Sequence, residues 1–222
     1  IAGVVMKVGS EVTKFQPGDR VGVGCFVYSC GECDPCQRGE EQFCTSRPGT
    51  VWTYGGRDWD GVPTAGGYSK GITVDQDYLM RVPETMALEH AAPLMCAGIT
   101  TYNPLKRWGA GPGKRVGIVG LGGLGHMGVQ FAAALGAETI VLSRTLAKRD
   151  DSLRLGATDH VSTQDGDRMK QLRGSFDIIL STISDGIDLD KILGLLKAHG
   201  VLINVGLPEN PTTFSIGTLT GQ

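Results

Sequence analysis

The 222-residue sequence has no apolar run near the roughly 18 residues needed to cross a bilayer, so nothing in it reads as a membrane span. It has no excess of positive charge. Twenty-one Lys and Arg stand against 23 Asp and Glu, a net charge of −2. That argues against a protein held by charge to nucleic acid or to a membrane surface. There is no low-complexity segment, no repeat at 20–50 residues and no Gly-X-Y period, which excludes arrays and collagen. Histidine is scarce and scattered: His90, His126, His160 and His199 read as structural or surface residues, with His126 opening a helix near a glycine-rich turn.

Glycine is abundant instead. Thirty-four glycines are about twice the usual share, and in a chain that is 41% hydrophobic and 20% charged they point to tight turns and close backbone approaches. The length suggests one large unit or two, one of them incomplete. Residue 1 is Ile, within a stretch that already reads as a strand, and the sequence stops at Thr220-Gly221-Gln222 without a closing helix. Both ends read as cut from something longer, so the sequence does not speak on a targeting peptide.

The first half is strand-rich. Ile1–Val8, Arg20–Val27, Gly67–Val74 and Tyr78–Val82 are short, β-branched and bounded by turn residues, the pattern of a small barrel. Helices are predicted at Thr85–Leu94 and Thr100–Trp108. From Lys114 strands and helices alternate: strand Arg115–Val119, helix Gly123–Leu135, strand Thr139–Leu142, helix Leu146–Leu155, strand Asp177–Leu180, helix Ile187–Ala198, strand Val201–Val205. That alternation predicts an α/β unit, a doubly wound parallel sheet with helices on its faces. The boundary is placed near Gly98, giving domains 1–97 and 98–222.

A long irregular stretch from Ser29 to Ala65 needs a reason to exist. It contains Cys30, Cys33, Cys36 and Cys44, spaced Cys-x2-Cys-x2-Cys-x7-Cys, with Gly31, Pro35 and Gly39 to turn the chain. Four thiolates fill a tetrahedral zinc site completely, so the metal would be structural, in a lobe over 29–46. A disulfide framework or an iron–sulfur cluster would also use four cysteines. The chain lacks a secretory context, and the bacterial ferredoxin run has a different third gap. Cys25, just upstream, reads as a packing residue on a strand.

Gly120, Gly122 and Gly125 fit Gly-x-Gly-x-x-Gly between a strand and an amphipathic helix, with Gly123 and Leu124 inside the motif. In that context the motif reads as the first turn of a dinucleotide-binding unit. NAD sites place an acid at the end of the following strand. Here that place is held by Ser143, 18 residues after Gly125, and Arg144, Lys148 and Arg149 follow. A hydroxyl and cations suit a 2′-phosphate, which a carboxylate would repel. The cofactor reads as NADP(H).

The two motifs in this order resemble the medium-chain zinc alcohol dehydrogenases. Trp52-Thr53-Tyr54, Asp60-Gly61, Gly66-Gly67-Tyr68, Ala91 to Thr100 and Gly120 to His126 resemble the cinnamyl alcohol dehydrogenase branch. The resemblance covers essentially the whole chain. It implies part of a GroES-like β-barrel carrying the zinc lobe, followed by a Rossmann domain. It implies that Cys96 is a ligand of a catalytic zinc, and that Ile1-Ala2-Gly3 follows a Gly-His-Glu triplet that this segment lacks. On that reading the segment alone is inactive and binds about one zinc. It further implies that Thr100 and Leu124 meet the nicotinamide, that Val205 and Leu207 flank backbone holding its carboxamide, and that Ser143, Arg144, Thr145 and Lys148 surround the 2′-phosphate. Phe26 and Trp52 would line the substrate pocket.

The activity so implied is NADP-dependent, zinc-assisted interconversion of a primary aromatic or medium-chain alcohol and its aldehyde by a cytoplasmic homodimer. The partner is then a small molecule, with no nucleic acid and no membrane. A polyol dehydrogenase of the same superfamily, or a non-catalytic NADPH-binding protein with a structural zinc, are the other readings.

Overall fold

A computed structural model describes residues 1–47, 49–58 and 60–220. The chain forms two compact units, one spanning Ile1–Cys96 and a second beginning at Ala97.

The first unit is built from short strands. β1 (Ala2–Val4), β2 (Arg20–Val23), β3 (Phe26–Tyr28), β4 (Val51–Trp52), β5 (Tyr54–Arg57), β6 (Pro63–Ala65) and β7 (Leu79–Arg81) are accompanied by the helical turn α1 (Asp34–Gln37) and by helix α2 (Leu88–Pro93). β1, β2 and β7 form an antiparallel sheet with β2 in the middle, and β3–β4 and β5–β6 form two further ladders. The guanidinium of Arg20 ties β2 to the segment before α2, donating to the carbonyls of Pro83, Glu84 and Met86. Gly22 leaves room for a neighbour: a Cβ there would displace the end of the Met95 side chain.

Several strand expectations in this unit need correction. The first strand ends at Val4, not Val8, because the chain beyond is exposed as it approaches the Gln16–Asp19 turn. The expected strand Arg20–Val27 breaks after Val23 and resumes at Phe26, which puts Cys25 between strands and not on one. Gly67–Val74 forms no strand: Gly66 turns the chain at φ +59°, and the Ser69 hydroxyl takes up the Gly71 carbonyl.

After α2 the helix widens into a π-type turn over Leu94–Gly98, then tightens into α3 (Ile99–Arg107). Helices Thr85–Leu94 and Thr100–Trp108 are thus present in shortened or shifted form. Pro93 cannot donate within the helix, and it lies where the geometry changes.

The second unit continues with β8 (Arg115–Val119), α4 (Gly123–Ala134), β9 (Glu138–Ser143), α5 (Arg149–Arg154), β10 (Asp159–Ser162), α6 (Gly166–Gln171), β11 (Phe176–Ser181), α7 (Leu189–Leu193), β12 (Leu196–Asn204) and α8 (Gly217–Thr220). The strands make one parallel sheet in the order β10-β9-β8-β11-β12. Alternate residues feed opposite faces. Val116, Ile118, Val141, Ile178 and Leu180 pack against Leu105, Val129 and Ala132 on one side. Val119, Ile140, Leu142 and Ile179 pack with Phe176, Ile192 and Leu195 on the other. That period of two, buried on both faces, is why these strands read as nearly continuous apolar runs.

Sequence reading missed β10 and α6; the polar content of β10 (Asp159, His160, Ser162) hides a short strand. It also ran α7 too far. The chain leaves the helix after Leu193 and enters β12 at Leu196, with His199 turning at φ +63° inside the irregular strand.

Candidate nucleotide cleft and metal centre

In the lobe, Cys33 is the N-cap of α1 and Pro35 lies in its first turn, where a missing N–H costs nothing. Gly31 (φ +71°) and Gly39 (φ +72°) reverse the chain on either side. The four sulfurs of Cys30, Cys33, Cys36 and Cys44 all lie within 4.8 Å of one another. Individual separations are 3.9 Å for Cys30–Cys36, 3.4 Å for Cys33–Cys36 and 4.0 Å for Cys33–Cys44. A zinc–sulfur bond of about 2.3 Å implies tetrahedron edges of about 3.8 Å, so the donor set fits zinc. The Cys30 sulfur accepts the backbone N–H groups of Glu32 (3.4 Å) and Cys33 (3.3 Å), the pattern that holds a thiolate.

The electrostatics are uneven. Backbone N–H donors from Thr45 and Cys36 bring the Cys33 thiol down to about 5. The Ser29 hydroxyl lowers Cys36, but burial and the neighbouring sulfurs win and push it to about 11. Four thiols with no cation cannot all ionise together, and a divalent ion removes that conflict. Ser29, which sequence reading missed, is buried behind Cys36 (3.3 Å) and accepts the phenol of Tyr78 (2.6 Å).

Elsewhere in this unit, Phe26 stacks edge-on against Trp52 (6.3 Å) and Tyr78 (5.8 Å), so the structure brings Phe26 and Trp52 together and adds Tyr78. Trp52 is 49% exposed. Cys96 is exposed and sits on the wide turn. Its sulfur neighbours Cys25, whose thiol burial and Cys96 together push up.

The second unit carries a cleft of about 1220 Å³ at the carboxyl ends of β8, β9 and β11. β9 continues the sheet on one side of β8 and β11 on the other, so the chain's direction of winding reverses between β8 and β11. Ligands of such sheets bind at this reversal. Gly120 makes the turn at φ +89°, and a Cβ there would meet Ile183 at 2.5 Å. Gly125 must lack a side chain because a Cβ would collide with the Gly120 carbonyl. Gly122 and Gly123 are different: nothing in the protein lies within 4 Å of a Cβ at either. The open space in front of Gly122, at the N-terminus of a 12-residue helix, suits an anion such as a phosphate group.

Ser143 ends β9 and lines the cleft with Arg144, Thr145 and Lys148. The Lys148 ammonium reaches back to the Leu121 carbonyl (3.0 Å), while Arg149 turns away to Asp159 (3.8 Å). Arg149 does not line the cleft, and Arg144 enters no ion pair among the described residues. His126 lies in the first turn of α4, with Nδ1 2.6 Å from the Gly122 carbonyl. Leu124 and Thr100 are half-buried. Val205 donates to the Ser181 carbonyl (2.9 Å), and Leu207 is 86% exposed.

Two family models match the chain: an alcohol dehydrogenase GroES-like domain over residues 1–84 and a zinc-binding dehydrogenase over residues 123–222. A curated relative named NADP-dependent alcohol dehydrogenase C 1, from Mycolicibacterium smegmatis, is 57% identical over 222 residues, all of this chain and 63% of that protein. A solved cinnamyl alcohol dehydrogenase from Sorghum bicolor superposes with a TM-score of 0.94 at 43% identity, covering 99% of this chain and 63% of that one. The crystal structure of CAD from Helicobacter pylori complexed with NADP(H) gives a TM-score of 0.90 at 45% identity, covering 99% and 62%. The chain thus spans under two thirds of the length of these relatives.

Proposed function

The chain belongs to the zinc-binding alcohol dehydrogenases, and on that premise we propose that the protein interconverts a primary alcohol and its aldehyde with NADP(H). The observation that carries this reading is the cleft at the reversal of the sheet. It has an open cradle at Gly122 and a hydroxyl, Ser143, where an acid would select NAD.

In this reading the pyrophosphate lies on the N-terminus of α4, between Gly120 and Gly125. The 2′-phosphate meets Ser143, Arg144, Thr145 and Lys148. Lys148 has to exchange the Leu121 carbonyl for a phosphate oxygen, a charge-assisted bond stronger than the one it leaves. Thr100, Leu124, Val205 and Leu207 belong to the nicotinamide end and orient the ring. A zinc ion held in part by Cys96 supplies Lewis acidity toward the substrate oxygen when bound. One thiolate does not hold that ion, so Cys96 needs ligands beyond the described residues, which gather a single set of three or more donors, the four-cysteine lobe. That lobe takes zinc in a structural role. Phe26 and Trp52 provide an apolar wall suited to an aromatic or medium-chain substrate. We place domains at 1–97 and 98–222, and read the protein as a cytoplasmic homodimer. No helix among the described residues is long and apolar enough to cross a membrane.

A titration of the protein with NADPH and NADH, followed by nucleotide fluorescence, tests the reading. NADPH should bind at least tenfold more tightly, the worth of one or two charged hydrogen bonds. Tighter binding of NADH would refute it.

A further inference from the structure

Ser143 does not stand alone at the end of β9. Its hydroxyl oxygen lies 2.6 Å from the Thr145 carbonyl and 2.7 Å from Nε2 of His160. His160 is on β10, 3% exposed, and its Nδ1 lies 3.0 Å from the Ser152 hydroxyl, itself buried and 2.6 Å from the Arg149 carbonyl. By sequence alone His160 reads as a structural or surface residue.

Counting protons assigns the roles. A carbonyl can only accept, so at 2.6 Å the Ser143 proton lies on the line to Thr145. The Ser143 oxygen then faces Nε2 with a lone pair, and 2.7 Å between two lone pairs would be repulsive. A hydrogen on Nε2 removes that repulsion. Burial lowers the imidazole's pKa, which keeps the ring neutral with one N–H. Ser152 faces Nδ1 in the same way, 2.6 Å from the Arg149 carbonyl, but its contact with the ring is the longer, 3.0 Å against 2.7 Å. The single N–H belongs at the shorter contact, Nε2, and Ser152 turns its proton from the Arg149 carbonyl to Nδ1.

The geometry points to His160 as a positioning residue that makes Ser143 a donor to the nucleotide's 2′-phosphate. The inference rests on the NADP reading above. With Nε2–H fixed on the Ser143 oxygen, the only proton Ser143 can present to the cleft is its own. An arriving phosphate oxygen takes that proton from Thr145. Were the ring protonated on Nδ1 instead, Ser143 would donate inward and show the phosphate a lone pair. The buried histidine thus decides whether the hydroxyl attracts or repels the group that distinguishes NADP from NAD.

The test compares 2′,5′-ADP with 5′-AMP as probes, by calorimetry, in the protein and three variants. His160→Leu should reduce the preference for 2′,5′-ADP about tenfold, the worth of one hydrogen bond to a charged group. His160→Gln, which keeps an N–H near Nε2, should hold the preference within about threefold. Ser143→Ala should lose it as His160→Leu does. An unchanged preference in His160→Leu with a lowered one in Ser143→Ala overturns the role of His160 and leaves the NADP reading intact. An unchanged preference in Ser143→Ala removes the phosphate role of Ser143 and this inference with it. Should His160→Leu fail to fold, ¹⁵N NMR of the unaltered protein decides. The inference requires hydrogen on Nε2 with and without 2′,5′-ADP, and hydrogen on Nδ1 refutes it.

Discussion

The cysteine lobe and the parallel sheet solve the same problem, fixing functional groups in space, by opposite means. The sheet uses apolar volume. Val116, Ile118, Leu142, Ile178 and Leu180 are essentially sealed from water, and each such side chain is worth roughly 1.5–3 kcal/mol of transfer free energy. The lobe has almost none of this: Cys36 and Ser29 are its only fully buried residues among those described, and Phe43 is 63% exposed. In the proposed reading its order comes from a single ion bridging four sulfurs. The sheet should therefore hold its shape whatever is bound, and the lobe should not.

Chelation breaks the comparison most directly. Stripping zinc should leave the lobe over 29–46 open to proteolysis while the sheet unit melts as before. Structural zinc contributes on the order of 10 kcal/mol in small domains, far more than the lobe's apolar burial can replace. Cys33→Ser should do the same, and a lobe that resists protease without metal would refute the contrast.

Within the sheet unit, two glycines three residues apart at the same helix start should behave oppositely. Gly125→Ala drives a methyl into the Gly120 carbonyl and should cost about 1–3 kcal/mol or more in urea unfolding. Gly122→Ala meets no protein atom, so its unfolding midpoint should barely move while NADPH affinity drops about a hundredfold as the cradle fills. Equal effects of the two on stability would show that Gly122 is structural.

Ser143→Asp places a carboxylate against the 2′-phosphate and should weaken NADPH about a hundredfold, since like charges in contact cost several kcal/mol. NADH should bind as well or better. A variant that still prefers NADPH would move discrimination to Arg144 and Lys148.

The smallest effect concerns a corner of the sheet. Burial alone would raise the Asp177 carboxyl. The Arg115 backbone N–H together with Lys197 and Lys114 outweighs it and holds the group at about 2, below its usual 3.8. The unfolded chain therefore takes up the proton first. The stabilisation is complete above about pH 4 and drains away as pH falls toward 2, about 2 kcal/mol in all. Asp177→Asn should lose most of it at pH 7 and show a flatter acid limb; an unchanged acid limb would mean that Asp177 contributes nothing to it.

The strongest signals in the sequence were the ones written locally. The four cysteines sit within one 15-residue stretch, and Gly120 to Gly125 are contiguous. In both cases local chain geometry alone brings the atoms together. The α/β alternation after Lys114 was legible because a buried parallel strand and an amphipathic helix have different periods. The strand assignments faltered where neighbours decide. Gly67–Val74 has β-branched residues but no pairing partner among the described residues, and β10 has partners but a polar sequence.

The same division holds at the site. Sequence by itself placed a glycine turn, a four-thiolate lobe and a serine in place of an acid, because each is a statement about nearby residues. Only the tertiary structure set Ser29 and Tyr78 behind Cys36, separated Gly122 from Gly125 by what surrounds them, took Arg149 away to Asp159, and brought His160 from the next strand to Ser143. Those are contacts between residues distant along the chain or set apart by its folding. Their hydrogen bonds and clashes depend on where two backbones come to lie, which no local spacing encodes.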